Sequence, residues 1–519
     1  MPRLPILLSL LVACAPEPEP GTDFSLRLAP LLAEGQDPFA GATLDLLVTD
    51  ALGTAVYELG DASDGPWEQV DVGPLDAAEV ALRLRPAGVT EPTPAQVAGW
   101  GRTAPVTASE GTVEVPVLVA ATGQVGAFGR LDATTHQPAA AVLASGDVVL
   151  FGGSPTGVLD PNDPASLDLR AFDGIWRLSR LDENAAFEPV GSLPSVDNDP
   201  PQRVAGTATA ITVDGEERVL LVGGRSAWGK TVSGTARSVL WDPITRTQTA
   251  GPSLPTGGRS QHVAVKVQED VLILGGFVDN QPNVGGVVID TWRATAKDWV
   301  RAGELANTGG VGFGWARLDD GVLVCGGGRT DTGGGRRSLA ATRGCHVVPR
   351  DGAARRVADL GFPVQDMILQ GHAMAALPDG TVLLTGGTDT SVSDATASAA
   401  VARAWRYDPV ADAWSPLPDM GTPRAHHAMV PLPDGRVLVV GGAQAIGGVP
   451  PFAMGDAVGC AEVFDPASAT FAPVAPCTEA GAGAWPVVAE GPDVDFVLQG
   501  MGPSGGGLNW GLIPRPPTP

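Results

Sequence analysis

A short apolar run that ends in two glycines recurs along the chain and restricts its fold more than any other feature. The clearest copy, residues 434–442, reads DGRVLVVGG: a polar turn, a run of aliphatic and β-branched residues, and the glycine pair. The run is too short for an independent helix, and the flanking glycines favour a buried strand. Further copies end at Gly153, Gly224, Gly276, Gly327 and Gly387, and a weaker one, FVLQG, ends at Gly500.

The spacing of these copies indicates the architecture. Their first glycines stand at positions 152, 223, 275, 326, 386, 441 and 500, so successive copies lie 51 to 71 residues apart. A repeat of about 50 residues built from short strands is typical of the blades of a β-propeller. The sequence therefore predicts an all-β fold over most of the chain.

The length and charge of the chain limit its possible functions. Its 519 residues exceed one ordinary domain, so two domains are expected. A net charge of −25 argues against sequence-independent nucleic-acid binding, which depends on Lys and Arg side chains that neutralise phosphates, and it disfavours an anionic membrane surface as a partner. The acidity also has a simpler reading, because net charge keeps a large protein soluble.

Residues 1–14 have the features of a targeting segment. Arg3 precedes a short apolar run at 4–12 that cannot span a bilayer, and residues 11–14 read LVAC. This end resembles the lipobox of bacterial lipoproteins, which implies lipidation of Cys14 and delivery to the outer membrane or cell envelope. The Pro/Glu-rich stretch at 15–23 then forms an extended tether. An ordinary secretory signal, and a secreted or periplasmic protein, is the alternative.

Residues 24–120 lack the glycine-pair repeat and form a separate region. Alternating apolar and polar residues at 43–46, 80–85 and 113–119 predict strands, and clusters of Gly, Pro and Asp separate them. Roughly six or seven such strands over this length indicate a small β-sandwich that is immunoglobulin-like in the broad sense.

Each repeat between residues 122 and 515 carries further marks. A polar turn with Arg or His precedes the first strand, as in PRAHH at 423–427, and an aromatic-Asp-Pro sequence follows the third strand at Trp241 and Tyr407. A late aromatic lies in the fourth strand, as at Trp414. Together these marks resemble the kelch repeat. The resemblance implies a β-propeller but no particular function, because kelch propellers include both binding proteins and enzymes.

The number of blades depends on how the two ends of the repeat region meet. The last repeat offers three strands, and residues 125–131 read like an isolated fourth strand. We therefore expect this segment to complete a seventh blade and to close the ring, which removes exposed strand edges. A six-bladed propeller is the alternative.

The cysteines predict two disulfides. With Cys14 set aside, four cysteines remain, and four allow three pairings. Cys325 and Cys345 lie on neighbouring predicted strands, and Cys460 and Cys477 lie within one blade, so we predict the pairs Cys325–Cys345 and Cys460–Cys477. Free, buried thiols are the alternative. The sequence has no close Cys-x-x-Cys pair that would favour zinc, and it shows no cofactor motif.

Enzymatic readings depend on side chains that are scarce here. A β-sandwich before a kelch ring is similar to the layout of the galactose oxidase family of copper radical enzymes, which need two tyrosines, a cysteine and two histidines. The two tyrosines of this chain are Tyr57, in the first region, and Tyr407, in a slot that Trp241 and Phe464 fill elsewhere, so we expect no copper or other metal site. A carbohydrate-active enzyme of the epimerase, mutarotase or hydrolase type stays open, because acid–base catalysis needs only a few carboxylates or histidines.

Two groups of side chains are candidates for a site. His262, His372 and His427 stand at equivalent places in three repeats, where a hydrogen bond to a backbone turn is the simplest role. The other group lies in variable loops after the glycine pairs, where recognition residues usually lie. Its members are Trp228, Lys230, Arg329, Asp331, Arg336 and Arg337. The Asp-Gly turns at Asp379 and Asp434, on the opposite face, are expected to be structural.

The sequence thus predicts an exported, lipid-anchored and monomeric kelch propeller of seven blades behind a small β-sandwich. We expect it to bind a glycan or a protein at the cell surface, without catalysis or cofactor. The alternative is a carbohydrate-active enzyme that uses the mouth of the propeller channel.

Overall fold

The computed structural model consists of β-strands, turns and connecting segments. It describes residues 25–32, 39–50, 53–62, 67–70, 72–90, 92, 97–102, 106–108, 110–121, 129–131, 135–155, 171–178, 186–193, 195, 203–226, 234–278, 286–331, 338–360, 369–388, 392–393, 397–432, 434–447, 453–454, 458–474, 486–490, 494–499 and 508–514. Within these ranges every regular element is a strand. None of this part of the chain forms a long apolar helix of the kind that crosses a membrane.

The N-terminal region is a single sheet. Its strands are β1 (Ser25–Leu32), β2 (Ala42–Asp50), β3 (Gly53–Asp61), β4 (Trp67–Val70), β5 (Leu75–Pro86), β6 (Gly99–Arg102), β7 (Val106–Ala108) and β8 (Thr112–Ala121). They are joined in the order β3-β2-β5-β6-β8-β1-β4, and β7 pairs with β5. Strands β1 and β8 are parallel, whereas the other pairs are antiparallel.

The alternation in β2 decides which face of this sheet is apolar. Leu44, Leu46 and Val48 point into one hydrophobic core, while Asp45 lies on the other face between Arg83 and Arg85. The predicted β-sandwich is not confirmed. A sandwich divides its strands between two sheets, whereas the described strands of this region are hydrogen-bonded into a single sheet. Alternation shows which residues are buried but not which strands pair, so the sequence could not decide this point.

The rest of the described chain contains strands β9 to β46. In chain order they are β9 (Gly129–Leu131), β10 (Thr135–His136), β11 (Ala139–Val142), β12 (Val148–Phe151), β13 (Ser154–Pro155), β14 (Gly174–Leu178), β15 (Glu188–Ser192), β16 (Thr207–Val213), β17 (Glu216–Val222), β18 (Arg237–Trp241), β19 (Gln248–Ser253), β20 (Arg259–Ser260), β21 (Val263–Val267), β22 (Asp270–Leu274), β23 (Phe277–Val278), β24 (Gly286–Arg293), β25 (Asp298–Ala306), β26 (Gly314–Leu318), β27 (Gly321–Cys325), β28 (Gly328–Asp331), β29 (Ser338–Ala341), β30 (Cys345–Pro349), β31 (Arg355–Val357), β32 (Ala373–Ala376), β33 (Val382–Thr385), β34 (Val392–Ser393), β35 (Ala397–Ala399), β36 (Ala404–Asp408), β37 (Ala413–Leu417), β38 (Ala428–Pro431), β39 (Val437–Val440), β40 (Ala445–Gly447), β41 (Ala453–Met454), β42 (Ala461–Asp465), β43 (Thr470–Val474), β44 (Val487–Ala489), β45 (Val494–Gln499) and β46 (Leu508–Pro514).

Most of these strands form four-stranded antiparallel sheets, which we number along the chain. The described residues contain sheet 1 (β11-β12-β14-β15), sheet 2 (β16-β17-β18-β19), sheet 3 (β21-β22-β24-β25), sheet 4 (β26-β27-β30-β31), sheet 5 (β32-β33-β36-β37), sheet 6 (β38-β39-β42-β43) and sheet 7 (β44-β45-β46-β9). In sheets 1 to 6 the second strand is the run that precedes the paired glycines, and in sheet 7 it is the run that precedes the single Gly500. The repeat read from the sequence is therefore one sheet.

Hydrophobic cores lie between consecutive sheets. Separate buried clusters join sheets 1 and 2, 2 and 3, 3 and 4, 4 and 5, 5 and 6, and 6 and 7. The second strand of sheet 3, β22, is buried at all five positions, because it lies between two strands of its own sheet and between two neighbouring sheets. This environment explains why second strands read as continuous apolar runs.

The late aromatic of the fourth strand links a sheet to the one before it. Trp414 in sheet 5 packs against Tyr407 of its own sheet, with ring centroids 5.0 Å apart. Its indole N–H donates to the carbonyl of Ala358, which follows sheet 4, over 3.0 Å. Trp299 in sheet 3 donates in the same way to the Pro252 carbonyl of sheet 2, over 3.1 Å. Both tryptophans thus connect consecutive sheets.

The fourth strand of sheet 7 comes from the start of the repeat region. Residues 129–131 pair with 508–510 of β46, as the sequence analysis expected for this segment. The first strands of sheets 7 and 1, β44 and β11, are also in contact. In addition, β46 contacts β6 and β8, so the N-terminal sheet lies against sheet 7.

Candidate functional site

The glycine pair at the end of each second strand forms a joint between consecutive sheets. In the six described pairs both glycines have φ between 60° and 94°. The N–H of Gly387 donates to the Arg424 carbonyl, just before sheet 6, over 2.9 Å. A Cβ on Gly386 would lie 2.3 Å from the same carbonyl oxygen. Only glycine permits both the left-handed backbone and this close approach.

Two chain segments meet at the joint and define one face of the molecule. In sheets 1 to 6 the segment that enters the first strand pairs with the segment that leaves the second. The pairs are β10–β13, Val204–Arg225, β20–β23, Val311–Gly328, Gln370–Thr388 and Ala425–Ala443. We call the surface formed by these segments and the loops between second and third strands the loop face. The opposite surface, which carries the turns between first and second and between third and fourth strands, is the turn face.

Two buried arginines hold the entering segment in sheets 3 and 6. Arg424 Nη2 donates to Glu462 Oε1 over 2.7 Å, and its Nη1 donates to the carbonyls of Gly441 and Cys460. Arg259 pairs in the same manner with Asp290 over 2.5 Å. Burial lowers the pKa of both arginines, and the adjacent carboxylates act against that shift. These residues anchor the loop face and are not available to a ligand.

The three equivalent histidines bridge neighbouring sheets. His262 Nε2 lies 2.8 Å from Thr207 Oγ1 of sheet 2, and His427 Nε2 lies 2.8 Å from Thr385 Oγ1 of sheet 5. His372 Nε2 accepts the backbone N–H of Gly314, in sheet 4, over 3.1 Å. The expected bond to a backbone turn is therefore wrong. His262 and His427 lie against a threonine hydroxyl on a strand, and His372 accepts the N–H of the first residue of β26.

Burial keeps these imidazoles neutral. It lowers the pKa of His262 and of His372 to about 3, and it lowers that of His427 well below the usual value. The charge of Arg259 adds to the shift at His262. A neutral imidazole that holds two sheets together has a structural role.

A series of residues with left-handed backbone lies on the loop face, two residues before the first strands of sheets 1 to 6. In each of these six sheets one such residue has φ between 50° and 69°: Gln137, Ala205, Gln261, Gly312, Gly371 and His426. We call these six residues the girdle. Their backbones are linked in two described stretches, because the N–H of each residue donates to the carbonyl of the one before it. The distances are 3.2 and 2.8 Å from Gln137 through Gln261, and 2.6 and 2.7 Å from Gly312 through His426.

The His426 ring lies over the two girdle glycines. A Cβ on Gly371 would lie 3.1 Å from His426 Nε2, and one on Gly312 would lie 3.5 Å from His426 Cε1. Burial lowers the pKa of His426 to about 4. Sequence reasoning did not single out this residue. The available signal was positional, since glycine fills the equivalent place in two neighbouring repeats.

The loops between second and third strands of sheets 4, 5 and 6 are themselves β-paired. β28 pairs with β29, and β29 with β34, which joins the loops of sheets 4 and 5. β35 pairs with β40, and β40 with β41, which joins the loops of sheets 5 and 6. We call these six strands the loop wall. A buried apolar cluster of Val311, Ala400, Ala425 and Ile446, with Phe277 against it, supports the wall from below.

The structure places part of the predicted binding set on this wall. Arg329 is exposed on β28, and Asp331 ends the same strand. Trp228, Lys230, Arg336 and Arg337 lie outside the described residues. The Asp-Gly turns lie on the turn face, where Asp379 accepts the N–H of Thr381 over 3.1 Å and Asp434 accepts that of Arg436 over 3.0 Å.

A cavity of about 870 Å³ lies between the first strands of all seven sheets. Girdle residues, among them Gln261, Gly371 and His426, border it toward the loop face. Toward the turn face it is lined by charged residues such as Arg317 and Glu490, which the sequence analysis did not single out. Within the ranges that the structure describes, no group of three or more His, Cys, Asp or Glu side chains is arranged to hold a metal ion.

The cysteines and the tyrosine of sheet 5 have structural positions. Cys325 and Cys345 face each other across β27 and β30 and form the predicted disulfide. Cys460 is also disulfide-bonded, while Cys477 lies outside the described residues. Tyr407 is fully buried and donates to Asp412 Oδ1 over 2.7 Å, and burial raises the pKa of its hydroxyl.

Comparison with known proteins identifies one repeat directly. Residues 373–421, which include all four strands of sheet 5, match the family model of the kelch motif. A solved structure titled "Structure of YjhT" is similar over 66% of this chain and 99% of that chain, at 13% identity and a TM-score of 0.43. No curated protein matches the chain. The chain therefore contains a kelch motif within a β-propeller.

Proposed function

We propose that the chain is an exported, lipid-anchored protein whose seven-bladed kelch propeller binds a glycan or a protein through its loop face. The observation that carries this proposal is the loop wall, in which loops from three consecutive sheets are fixed to one another by strand pairing. Loops held rigidly by a scaffold are the usual home of recognition residues. A rigid wall also lowers the entropy lost when a partner binds.

Side chains on the wall suit recognition. Arg329 is exposed on β28, and arginine is among the residues most enriched in binding hot spots. Beside the wall, the guanidinium of Arg225 lies 6.0 Å from the centroid of the Phe277 ring, which itself packs on the buried cluster beneath the wall. The surface thus combines a charged, accessible edge with an ordered apolar base.

The seven-bladed arrangement is supported by the pairing of 129–131 with 508–510. That pairing supplies the fourth strand of sheet 7, and contact between β44 and β11 brings sheet 7 against sheet 1. A closed ring needs no second copy of the chain to cover a strand edge, so we propose a monomer.

A binding screen tests the function. The chain without residues 1–14 is applied to a glycan array and to a library of envelope proteins, and each hit is repeated with Arg329→Ala. We expect at least a ten-fold loss of affinity. Arg406→Ala, which removes an arginine paired with Asp379 on the turn face, serves as the control and should not change binding. A partner whose affinity falls with Arg406→Ala and not with Arg329→Ala would overturn the assignment to the loop face.

The anchor has its own test. If Cys14 carries lipid, Cys14→Ser should move the protein from the detergent phase to the aqueous phase on detergent partitioning of cells. Membrane association that is unchanged in this variant would contradict lipidation.

A further inference from the structure

The channel opens toward the turn face between charged side chains of opposite sign. Arg317 Nη2 lies 2.8 Å from Glu490 Oε2. Arg317 belongs to the first strand of sheet 4, and Glu490 follows the first strand of sheet 7. In the contact series β26, β32, β38 and β44, two sheets lie between them, so the ion pair joins parts of the channel wall that are not neighbours.

The cations of this rim lie side by side. Lys266 and Arg317 are each the fourth residue of a five-residue first strand, in the consecutive sheets 3 and 4. Both line the cavity, and both are about a third to nearly half exposed: 34% for the Lys266 side chain and 44% for Arg317. Their equivalents in sheets 1, 2 and 5 are Val142, Ala210 and Ala376. Sheets 3 and 4 therefore form the positive side of the rim.

The rim also carries two carboxylates, Glu217 and Glu490. Glu490 is in sheet 7, and Glu217 Oε1 accepts the N–H of Ala144, which joins the end of the first strand of sheet 1 to sheet 2. Both glutamates line the cavity. Glu490 thus contacts Arg317 from sheet 7. Glu217 lies in sheet 2, next to the sheet that carries Lys266.

Deeper in the cavity the wall is mostly small and apolar. Ala208, Ala264, Ala373 and Ala428 come from four different first strands, and Met374 adds apolar surface. The small side chains leave the lumen open. A volume of about 870 Å³ lies in the range of about 300 to 1,000 Å³ that small-molecule pockets occupy.

We infer that the channel is a second binding site, entered from the turn face, for a small zwitterionic molecule with an apolar body, of the kind formed by an apolar amino acid or a short peptide with free termini. Its carboxylate lies against Arg317 and Lys266, its ammonium lies against Glu490, and its apolar part enters the alanine-lined lumen. The Arg317–Glu490 contact opens at little cost, because half-exposed ion pairs contribute little to stability.

Charge balance favours a zwitterion over a simple ion. An anion would be repelled by a protein with a net charge of −25, and it would leave Glu490 without its arginine. A cation bound to Glu490 would leave Arg317 without its carboxylate. A zwitterion replaces one ion pair by two, and its net charge of zero meets no long-range repulsion.

A ligand series on the unaltered full chain tests the chemistry by calorimetry. The probes are L-leucine and L-leucyl-L-leucine, which carry both charges, with N-acetyl-leucine, leucinamide and N-acetyl-leucinamide, which carry the negative charge, the positive charge and neither. We expect at least one zwitterion to bind ten-fold or more tightly than all three blocked probes. Comparison of leucine with the dipeptide tells whether free amino acids or peptide termini are the source. Absence of binding by both zwitterions, or equal binding by a blocked probe, would overturn the inference.

Variants locate the site. Arg317→Gln and Glu490→Gln should each weaken binding of the zwitterion at least ten-fold, and Arg406→Gln, on the same face but outside the cavity, should leave it unchanged. If either variant does not fold, the ligand series decides alone. Unchanged affinity in a folded Arg317→Gln variant would contradict the site. Because Arg329→Ala alters only the loop face, it should not affect leucine binding, so failure of the loop-face proposal leaves this result intact.

Discussion

Arg424 and Glu462 form a buried ion pair between the segment that enters sheet 6 and the third strand of that sheet. The two side chains are 0% and 4% exposed. The carboxylate also accepts the N–H groups of Gly421 and Thr422, over 2.6 and 3.0 Å, so one glutamate fixes a whole connecting segment. Arg259 and Asp290 repeat the pair in sheet 3. The loop face therefore rests on two charge pairs that solvent does not reach.

Removal of one partner should be costly. Glu462→Gln leaves the Arg424 guanidinium buried without a counter-charge, which we expect to lower the free energy of unfolding by about 3 kcal/mol or more. The double variant Arg424→Met, Glu462→Gln removes both charges and should recover most of that loss. Urea unfolding followed by tryptophan fluorescence measures the difference. Arg406→Gln, at an exposed pair, should cost less than about 1 kcal/mol; an equal loss at both sites would contradict the role of burial.

Stability should fall as the pH falls below the pKa of an unfolded histidine. In the folded protein His262 and His372 have pKa values of about 3, below the usual value of 6.5. Their contribution is fully present above pH 6.5 and is lost as the pH falls toward 3, because only the unfolded chain takes up the protons. Between these two pKa values each histidine lowers the free energy of unfolding by about 1.4 kcal/mol for each pH unit of acidification.

Urea unfolding at intervals between pH 7.5 and 4.5 checks this expectation. In His262→Gln the free energy of unfolding should fall less steeply below pH 6.5, by the contribution of one histidine, and its pH dependence above pH 6.5 should be unchanged. Carboxylates with lowered pKa values, such as Asp270, change the free energy of unfolding at lower pH, outside this window. An identical slope in the variant and in the unaltered protein would contradict the assignment.

Gly371→Ala should destabilise the girdle through two effects. The residue has φ of 69°, which costs an L-residue about 1–2 kcal/mol, and the new Cβ would lie 3.1 Å from the His426 ring. Gly380→Ala is the matched control, since that glycine has φ of 80° and nothing within 4 Å of the new Cβ. We expect a lower thermal midpoint for Gly371→Ala than for Gly380→Ala. His426→Ala in the Gly371→Ala background should remove the excess, and a double variant with no recovery would contradict the contact.

The Cys325–Cys345 disulfide should stabilise sheet 4. Its cysteines are 20 residues apart in sequence, and a cross-link of this span contributes about 3 kcal/mol in the chain-entropy model. The double variant Cys325→Ala, Cys345→Ala should therefore have a lower urea midpoint. Both cysteines are fully buried, so dithiothreitol should reduce the bond only at urea concentrations that open the sheet. Rapid reduction of the native protein, measured by alkylation and mass spectrometry, would contradict this.

Much of the propeller could be predicted from the sequence, because two physical demands recur from one sheet to the next. The joint at Gly386 and Gly387 excludes a Cβ, and a strand buried on both faces, such as β33, must be apolar. Both demands produce a pattern that recurs regularly in the sequence. The pairing of Cys325 with Cys345 could be predicted for the same reason, since adjacent strands bring the two cysteines together.

The charges of the channel rim could not be predicted, because only the folded structure brings them together. Arg317 and Glu490 are far apart in sequence and look like solvated charges at the ends of strands. His426 was hidden in a similar way, beside the regular His427. The strand arrangement of the N-terminal region could not be predicted for another reason. The alternation predicts burial at Leu44 and Leu46, but the order of the strands depends on long-range hydrogen bonds that alternation does not encode.

The pairing of 129–131 with 508–510 also sets an order of assembly. Sheets 1 to 6 each draw their strands from one continuous stretch, so their contacts are local and can form as soon as that stretch is available. Sheet 7 is different, because its outermost strand is made early and its partner is made last. Until β46 is made, β9 lacks its partner, and the half-made molecule exposes an open strand edge. We expect the final pairing of β9 with β46 to be the slowest folding step of this part of the chain.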